Sequence, residues 1–313
     1  MNHRYIIVLI AACLLLASCG ERLKSDAESR IGLRAAVNDM QLETRATASP
    51  YRGSVPTDTN PLEADVWFSD TDGTYGDTPG ENTLPCRSTV HFTSGDMTYP
   101  DDVVRYATDG SDAYCVGLYP QSAWSANAAA TEVTCAIDGT RDLMFAPQVS
   151  GSWNNPIDSP LAFSHLLTWL KICICAHETD AITSWGAITE ITVENPSDGL
   201  TVTLATGDVT PSGVSAPITA FAGSCGLLVT TQEVGSVFCA PATSYNVTVK
   251  SENKVVGTTV AVNLVNLDGS TPTADYVAGK VYVLTLHFHP LTLIDATCTL
   301  TDWVDEYQFI MGH

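Results

Sequence analysis

Two histidines near the C-terminus have the spacing of a partial metal-ligand set. His287 and His289 alternate along a predicted strand, so both side chains leave the same face, as in some metal sites. No third ligand lies near them in the sequence, and the chain has no Cys-x-x-Cys pair or Cys/His spacing typical of zinc. We therefore expect half-exposed strand histidines, with no metal site and no cofactor.

A second pair, Ser164 and His165, has the residue types of a nucleophile and its base. No serine of the chain lies in a Gly-x-Ser-x-Gly elbow, which would expose it for attack. Adjacent side chains of an extended segment also point to opposite faces, so these two would not meet. We expect both residues to pack in a core or a turn, and we expect no catalytic site and no enzyme.

Acidic and aromatic residues suggest two further kinds of binding. The pairs Asp101–Asp102 and Asp70/Asp72 could ligate calcium, but solvated loops are the interpretation we favour. Aromatic side chains could form a carbohydrate platform, although packing inside a sandwich is the expected role of the tryptophans, which include Trp67, Trp124, Trp153 and Trp185.

The N-terminus has the features of export and lipid attachment. A short basic start precedes an apolar run at residues 5–16, which is shorter than the roughly 20 residues of a membrane-spanning helix. Residues 16–20, Leu-Ala-Ser-Cys-Gly, resemble a lipobox, where cleavage leaves the cysteine to carry acyl chains. We expect residues 1–18 to be a signal peptide and Cys19 to begin an anchored chain of 295 residues (313 − 18) outside the cytoplasm. An ordinary signal peptide with an unmodified cysteine is the alternative.

Composition excludes one class of partner and constrains the cysteines. The chain has 35 Asp and Glu against 14 Lys and Arg, a net charge of −21 that repels phosphate backbones, so we expect no nucleic acid partner. Without Cys13 and Cys19, 8 of the 10 cysteines remain, enough for up to four disulfides. Cys173 and Cys175 share one face of a predicted strand, either as small apolar residues or as part of a cross-strand bridge.

The body of the chain is predicted to be all β. Short alternating segments, separated by Gly, Pro, Asn and Asp clusters, recur from residue 62 to residue 303 without a long amphipathic helix. The apolar run at residues 160–176 ends as a strand, but its first half fits a helical turn equally well. The pattern predicts two tandem β-sandwiches, residues 46–180 and residues 181–313, with the boundary near residues 177–187.

Several segments, taken in order, resemble the fimbrillin superfamily of Bacteroidales, the subunits and relatives of type V pili. The lipobox at Cys19 is followed by a polar leader with one short candidate strand at residues 30–37. The segments similar to family motifs are Thr-Arg-Ala at residues 44–46, Val-Gly-Leu-Tyr-Pro at 116–120, Asp-Leu-Met-Phe-Ala at 142–146, Leu-x-Phe-x-His at 161–165, Gly-Lys-x-Tyr at 279–282 and a last strand ending at Trp303. Each segment alone is weakly specific, but together they cover most of the chain.

The resemblance implies two β-sandwich domains, the first transthyretin-like, and a structural pilus subunit that serves surface adhesion. It implies that a trypsin-like protease removes a leader, residues 19–45, by cutting between Arg45 and Ala46, which leaves 268 residues (313 − 45). Loss of a leader strand, expected around Ile31 to Leu42, would open an apolar groove for a strand of another fimbrillin subunit. The competing cleavage sites are Arg30, Arg34 and Arg52.

The donor strand is expected in the C-terminal tail, where Tyr307, Phe309 and Met311 fall on one face of an extended chain. An edge strand of its own domain is the other interpretation of this tail. The implied location is the outer membrane for the lipid-anchored precursor and an extracellular fimbrium for the mature subunit. Two alternatives remain: a monomeric outer-membrane lipoprotein that binds glycan or host protein, and a secreted hydrolase, which the missing motifs disfavour.

Overall fold

The computed structural model of the 313-residue chain describes residues 30–37, 56–57, 60–76, 84–93, 97–98, 104–262, 275–291 and 294–301. Within these ranges the protein consists of strands and one short helix, which confirms the predicted all-β class. None of the helical structure in this part of the chain has the length and apolar character needed to cross a membrane.

The elements follow one another in a nearly uninterrupted series of strands. In chain order they are β1 (Ala35–Val37), β2 (Leu62–Ser69), β3 (Cys86–Phe92), β4 (Met97–Thr98), β5 (Asp112–Tyr119), β6 (Ser125–Ala126), β7 (Glu132–Ala136), β8 (Met144–Ser152), β9 (Leu161–His165), β10 (Thr168–Ala176), α1 (Thr179–Trp185), β11 (Ile188–Asn195), β12 (Gly199–Thr203), β13 (Val209–Ser212), β14 (Ala216–Cys225), β15 (Gln232–Cys239), β16 (Tyr245–Ser251), β17 (Lys254–Val262), β18 (Val281–Phe288) and β19 (Ile294–Thr301).

A seven-stranded sheet, in the order β1-β9-β8-β5-β2-β3-β4, curls around the first core. Phe92 on β3 and Phe163 on β9 lie four strands apart, which is roughly 19 Å in a flat sheet. Their ring centroids are nevertheless only 6.2 Å apart, edge to face. The sheet therefore bends until its two ends enclose one apolar interior, which also includes Val66, Phe68, Met144 and Leu161.

The second half is a sandwich of two four-stranded sheets, β15-β10-β18-β19 and β14-β11-β16-β17. Their inner faces share a core in which Ile172 and Leu284 come from the first sheet and Val193 and Val247 from the second. Trp185 of α1 is fully buried at one end of this sandwich, where its ring packs edge-on against Phe288 and its indole N–H donates to the His289 carbonyl at 2.8 Å.

A fourth sheet, β13-β12-β7-β6, takes strands from both sides of the predicted domain boundary. Val133 of β7 lies opposite Val202 of β12, and both belong to the same core as Trp67 and Phe145 on the outer face of the seven-stranded sheet. β10, upstream of residue 180, pairs on both sides with strands from downstream of it. The sheets thus cross the predicted division, and the domain limits 46–180 and 181–313 stay a prediction.

The apolar run at residues 160–176 is two strands. In β9, Leu161, Phe163 and His165 are buried and the residues between them are half-buried, so the ambiguous first half is a strand with one face in the core. All nine residues of β10 are buried, and this strand lies in the middle of its sheet, between β15 and β18. The boundary region after β10 contains α1, a helix of only seven residues.

No disulfide joins the eight cysteines of the described residues. Cys86 and Cys115 both lie opposite Phe68, one on each side of β2, so their Cα atoms are separated by two strand spacings, about 9–10 Å. A disulfide requires a Cα separation below about 7 Å, so this pair cannot form one without backbone movement. Cys173 and Cys175 are buried on the same face of β10, in keeping with the small apolar role predicted for them.

The reactivity of each cysteine thiol should depend on how deeply its side chain is buried. Burial raises the pKa of Cys135 and of Cys298 to about 11, whereas Cys225 is half-buried near the end of β14. At pH 8 we expect iodoacetamide to modify Cys225 at least about ten times faster than Cys135 or Cys298, because only the thiolate reacts. Peptide mass spectrometry of the native protein measures the three rates, and protein unfolded in urea is the control. Equal rates in the native protein would contradict this assignment.

The contact between β14 and β15 should tolerate no added side chain at Gly235. A Cβ atom there would lie 2.1 Å from the backbone oxygen of Ala220, so the backbone would have to move. Gly235→Ala should lower the free energy of unfolding by about 1–3 kcal/mol. Gly226→Ala is the matched control, since a Cβ at Gly226 meets nothing within 4 Å. Urea unfolding followed by circular dichroism gives both values, and equal stability of the two variants would disprove the close approach.

Candidate functional site

Residues 30–37, which we call the leader segment, lie upstream of Ala46 against the seven-stranded sheet. The side chains of this segment alternate between the core and solvent. The core-facing residues Ile31, Leu33, Ala35 and Val37 are exposed by only 0%, 3%, 9% and 4%. Arg30, Gly32 and Arg34, between them, are exposed. With this period of two, one face of the segment fills an apolar groove of the seven-stranded sheet, and the other face remains in solvent.

Main-chain hydrogen bonds connect the start of the leader segment to the chain after β4. The amide of Ile31 donates to the carbonyl oxygen of Val104 at 3.0 Å. Arg30 and Arg105 form an antiparallel bridge at the same place.

The end of the leader segment pairs with β9 on the opposite side of the groove. Ala35 lies opposite Leu161, and Val37 lies opposite Phe163, in parallel register. The amide of Leu161 donates to the carbonyl oxygen of Arg34 at 2.7 Å. The leader segment therefore extends from the chain near residue 104 to the edge of the sheet at β9.

Phe163 and Gly117 shape the groove beside β1. Phe163 is fully buried, and its Cζ would lie only 2.6 Å from a Cβ atom at position 117. The glycine on β5 therefore leaves the space that the phenylalanine ring occupies. Any larger residue at position 117 would displace this ring or distort the sheet.

Apolar burial, more than charge, holds the leader segment in place. Burying one side chain such as Ile31, Leu33 or Val37 stabilises by about 1.5–3 kcal/mol. The ion pair of Arg34 with Asp158, at 2.7 Å, joins side chains that are 57% and 99% exposed, so solvent screens it and it adds little.

The residues predicted for lipidation, cleavage and strand donation lie outside the described residues. They are Cys19, Arg45, Ala46, Tyr307, Phe309 and Met311. In sequence, Val37 precedes Arg45 by eight positions (45 − 37), and the last residue of β19, Thr301, precedes Tyr307 by six (307 − 301). The roles assigned to these six residues stay predictions.

Comparison with known proteins identifies the family. A model of the fimbrillin-like family matches residues 44–303, which is 260 residues (303 − 44 + 1) of the 313. The chain belongs to the fimbrillin-like family. No curated protein matches its sequence.

The first two of three similar solved structures show the same fold as this fimbrillin-like chain. A proposed cell adhesion protein from Bacteroides uniformis ATCC 8492 is similar with a TM-score of 0.56 and 18% identity, over 89% of this chain and 100% of the other. A second, from Bacteroides ovatus ATCC 8483, has a TM-score of 0.54 and 14% identity, over 88% and 98% of the two chains. The tip fimbrial protein Mfa3 from Porphyromonas gingivalis, truncated at its C-terminus, has a TM-score of 0.42 and 10% identity, over 87% and 98%.

His165, predicted to pack in a core or a turn beside Ser164, lies inside the fimbrillin-like chain. His165 is buried, and its Nδ1 lies 2.8 Å from Oδ2 of Asp142, which is also buried. Ser164 is the next residue on β9, so its side chain leaves from the opposite face of the strand. The packing role predicted for His165 is what the structure shows.

The aromatic and acidic candidates also have structural contacts. Trp67, Trp124 and Trp185 are buried in the larger apolar core, which agrees with their predicted packing role, and Trp153 is half-buried against the first core. Asp72 is exposed and accepts a hydrogen bond from the Gln148 amide at 2.7 Å. Asp101 and Asp102 lie outside the described residues.

His287 and His289 do lie on one face of β18 and its continuation, as predicted. His287 Nδ1 is 3.1 Å from the sulfur of Cys175, and His289 Nε2 is 3.0 Å from Oδ2 of Asp295. The sequence spacing could not indicate the contact with Cys175, which lies 112 positions earlier on the neighbouring strand β10.

Substitution in the leader segment should destabilise the fimbrillin-like chain only at core-facing positions. Leu33→Ala should cost about 2–5 kcal/mol of unfolding free energy, because it leaves a cavity in the groove. Arg34→Ala, the adjacent exposed control, should cost less than about 1 kcal/mol. Urea titration of the full chain, followed by tryptophan fluorescence, measures both changes. Similar losses in the two variants would show that the groove does not depend on apolar filling.

Proposed function

We propose that this fimbrillin-like protein is a structural pilus subunit that serves adhesion at the cell surface. In this proposal it is exported as a lipoprotein, held at the outer membrane by acyl chains on Cys19, and assembled into an extracellular fimbrium after its leader is removed. The observation that supports the proposal best is the leader segment itself, which occupies a strand position in the first core although it lies upstream of Arg45.

The proposed trigger is a cut between Arg45 and Ala46 by a trypsin-like protease, whose pocket reads the positive side chain. The cut separates the leader segment from the remaining 268 residues (313 − 45). After cleavage, the leader segment is held by main-chain pairing, by the burial of its four core-facing side chains and by the exposed ion pair of Arg34 with Asp158. Its departure would expose β9 and the apolar groove together.

The proposed replacement is the C-terminal tail of another fimbrillin subunit, either the same chain or a related one. Tyr307, Phe309 and Met311 alternate in sequence, as Ile31, Leu33, Ala35 and Val37 do in the leader segment. Such a tail would satisfy the main-chain groups of β9 and fill the groove with its apolar face. Because side chains alternate with a period of two, this fit would also fix the register.

Polymerisation requires no chemistry after proteolysis, so the proposed role is structural and not enzymatic. The net charge of −21 would keep free precursors apart before cleavage. The alternative is a monomeric outer-membrane lipoprotein that binds glycan or host protein. The two functions differ in the effect of proteolysis, since only the pilus subunit gains a vacant strand position that other copies fill.

Limited proteolysis of the precursor tests the proposal. Trypsin-like cleavage should give a new N-terminus at Ala46 and a ladder of oligomers on electrophoresis without boiling. Arg45→Ala should abolish both results, whereas the control Arg52→Ala should change neither. N-terminal sequencing and the gel report the two steps separately.

A second variant isolates the donor strand. In this variant Tyr307, Phe309 and Met311 are all changed to aspartate. Cleavage should remain intact and the ladder of oligomers should not form, because charged side chains would not enter an apolar groove. Gln308→Asp is the control on the opposite face of the tail. A cleaved wild-type chain that remains monomeric would exclude the pilus function and favour the monomeric lipoprotein.

A further inference from the structure

The outer face of the second sandwich concentrates metal-ligating side chains, none of which belongs to the leader groove. We call the group Cys175, His177, His287, His289 and Asp295 the histidine face. Three of the five histidines in the described residues belong to it. Its members come from three neighbouring strands or their ends, β10, β18 and β19.

Strand register explains why these residues meet. β10 and β18 are parallel, with Cys175 opposite His287. The pairing continues past both strands, because the amide of His177 donates to the carbonyl oxygen of Phe288 at 2.8 Å, which brings His177 beside His289. Residues two apart on a strand share a face. Four of the five residues therefore lie side by side, Cys175 and His177 on β10 and its continuation and His287 and His289 on β18 and its continuation.

The distances within the histidine face are short. The ring centroids of His177 and His289 are 4.4 Å apart with an angle of 34° between the planes. His289 Nε2 lies 3.0 Å from Oδ2 of Asp295, and His287 Nδ1 lies 3.1 Å from the Cys175 sulfur. In addition, His287 Nε2 lies 3.2 Å from the Thr297 hydroxyl.

The Asp295 contact is of the kind that prepares a histidine for metal binding. A carboxylate that accepts the Nε2 proton fixes the tautomer, so Nδ1 of His289 carries the free lone pair. The cross-strand neighbour His177 is exposed, which leaves its ring free to turn toward the same point. The Cys175 side chain is buried, whereas His177 is exposed and His287 and His289 are half-buried, so the three imidazoles are the accessible ligands.

We propose that the histidine face binds one zinc ion, or a similar divalent transition metal ion, through His177, His287 and His289. Two histidines spaced by one residue on a strand and a third on the adjacent strand can place three imidazole nitrogens around one ion, and water completes the tetrahedral set. As the side chains lie, no three His, Cys, Asp or Glu groups of the described residues could hold a metal ion, so the proposed binding requires the His177 and His287 rings to turn inward. The net charge of −21 favours the approach of cations to the protein as a whole.

The site is independent of the proposed pilus assembly, because it lies on the second sandwich and uses no residue of the leader groove. An ion there would join the ends of β10 and β18, next to the buried Trp185. Binding to the folded state alone would raise the thermal unfolding midpoint as the zinc concentration rises.

Zinc titration of the metal-free full chain, purified without a polyhistidine tag, tests the proposal. Calorimetry should show one zinc ion per chain, and zinc should raise the unfolding midpoint. His177→Ala and His289→Ala should each weaken binding at least ten-fold and remove the rise in midpoint. His91→Ala, a histidine on β3 of the other sheet, is the control and should bind as wild type does. No binding by the wild type, or equal weakening by His91→Ala, overturns the site.

Cobalt substitution tests the ligand set. A cobalt-loaded protein with three imidazole ligands should show tetrahedral visible bands without a sulfur-to-cobalt charge-transfer band. Cys175→Ser should leave the zinc affinity within about three-fold of wild type, and circular dichroism confirms that each variant is folded. A charge-transfer band that Cys175→Ser removes would overturn the three-histidine set.

Discussion

The pairing of β1 with β9 is the contact on which the first half of the molecule depends. Without β1, the main-chain groups of β9 on that side and the apolar residues beneath would face solvent, the arrangement that invites pairing with another chain. The leader segment meets both needs at once, since its backbone bonds to Leu161 while Ile31, Leu33 and Val37 enter the core. Any strand that replaced it would have to meet the same two conditions. Its backbone must pair with β9 over a similar length, and its side chains must be apolar at every second position.

The groove is supported from behind by the rest of the molecule. Trp67 and Phe145 lie on the outer face of the seven-stranded sheet, and they pack in one continuous core with β7, β12 and the second sandwich. β7 pairs directly with β12, so this core connects the outer face of the seven-stranded sheet to residues downstream of residue 180. A wall packed on its far side resists collapse when its near side is uncovered. The shared sheet thus gives the groove the rigidity that the proposed strand replacement would need.

Local patterns in the sequence predicted the strands well, and long-range contacts are where prediction stopped. Alternation was sufficient for β18 and for the leader strand at least as far as Val37, because one face of each is buried. Alternation was ambiguous for residues 160–167, where the apolar run has no clear period. The helix α1 has only seven residues, too few to produce a helical period in the sequence. The pairing of Val133 with Val202 and of Cys175 with His287 joins residues 69 (202 − 133) and 112 (287 − 175) positions apart. A single sequence contains no signal for such pairs. The shared sheet and the histidine face could therefore be recognised only in the three-dimensional structure.

The geometry of β1 also explains why proteolysis could act as a switch. Only three residues of β1 pair with β9, and parallel pairing is slightly less stable per residue than antiparallel pairing. The covalent tether adds to the apolar burial of so short a strand, because it keeps the effective concentration of the strand near the groove high. A cut after Arg45 would remove that tether without changing a single contact in the groove. The leader segment would then compete as a separate peptide, and a longer strand with larger apolar side chains would displace it. The weakness of β1 is therefore consistent with a strand that protects the groove before cleavage and gives way after it.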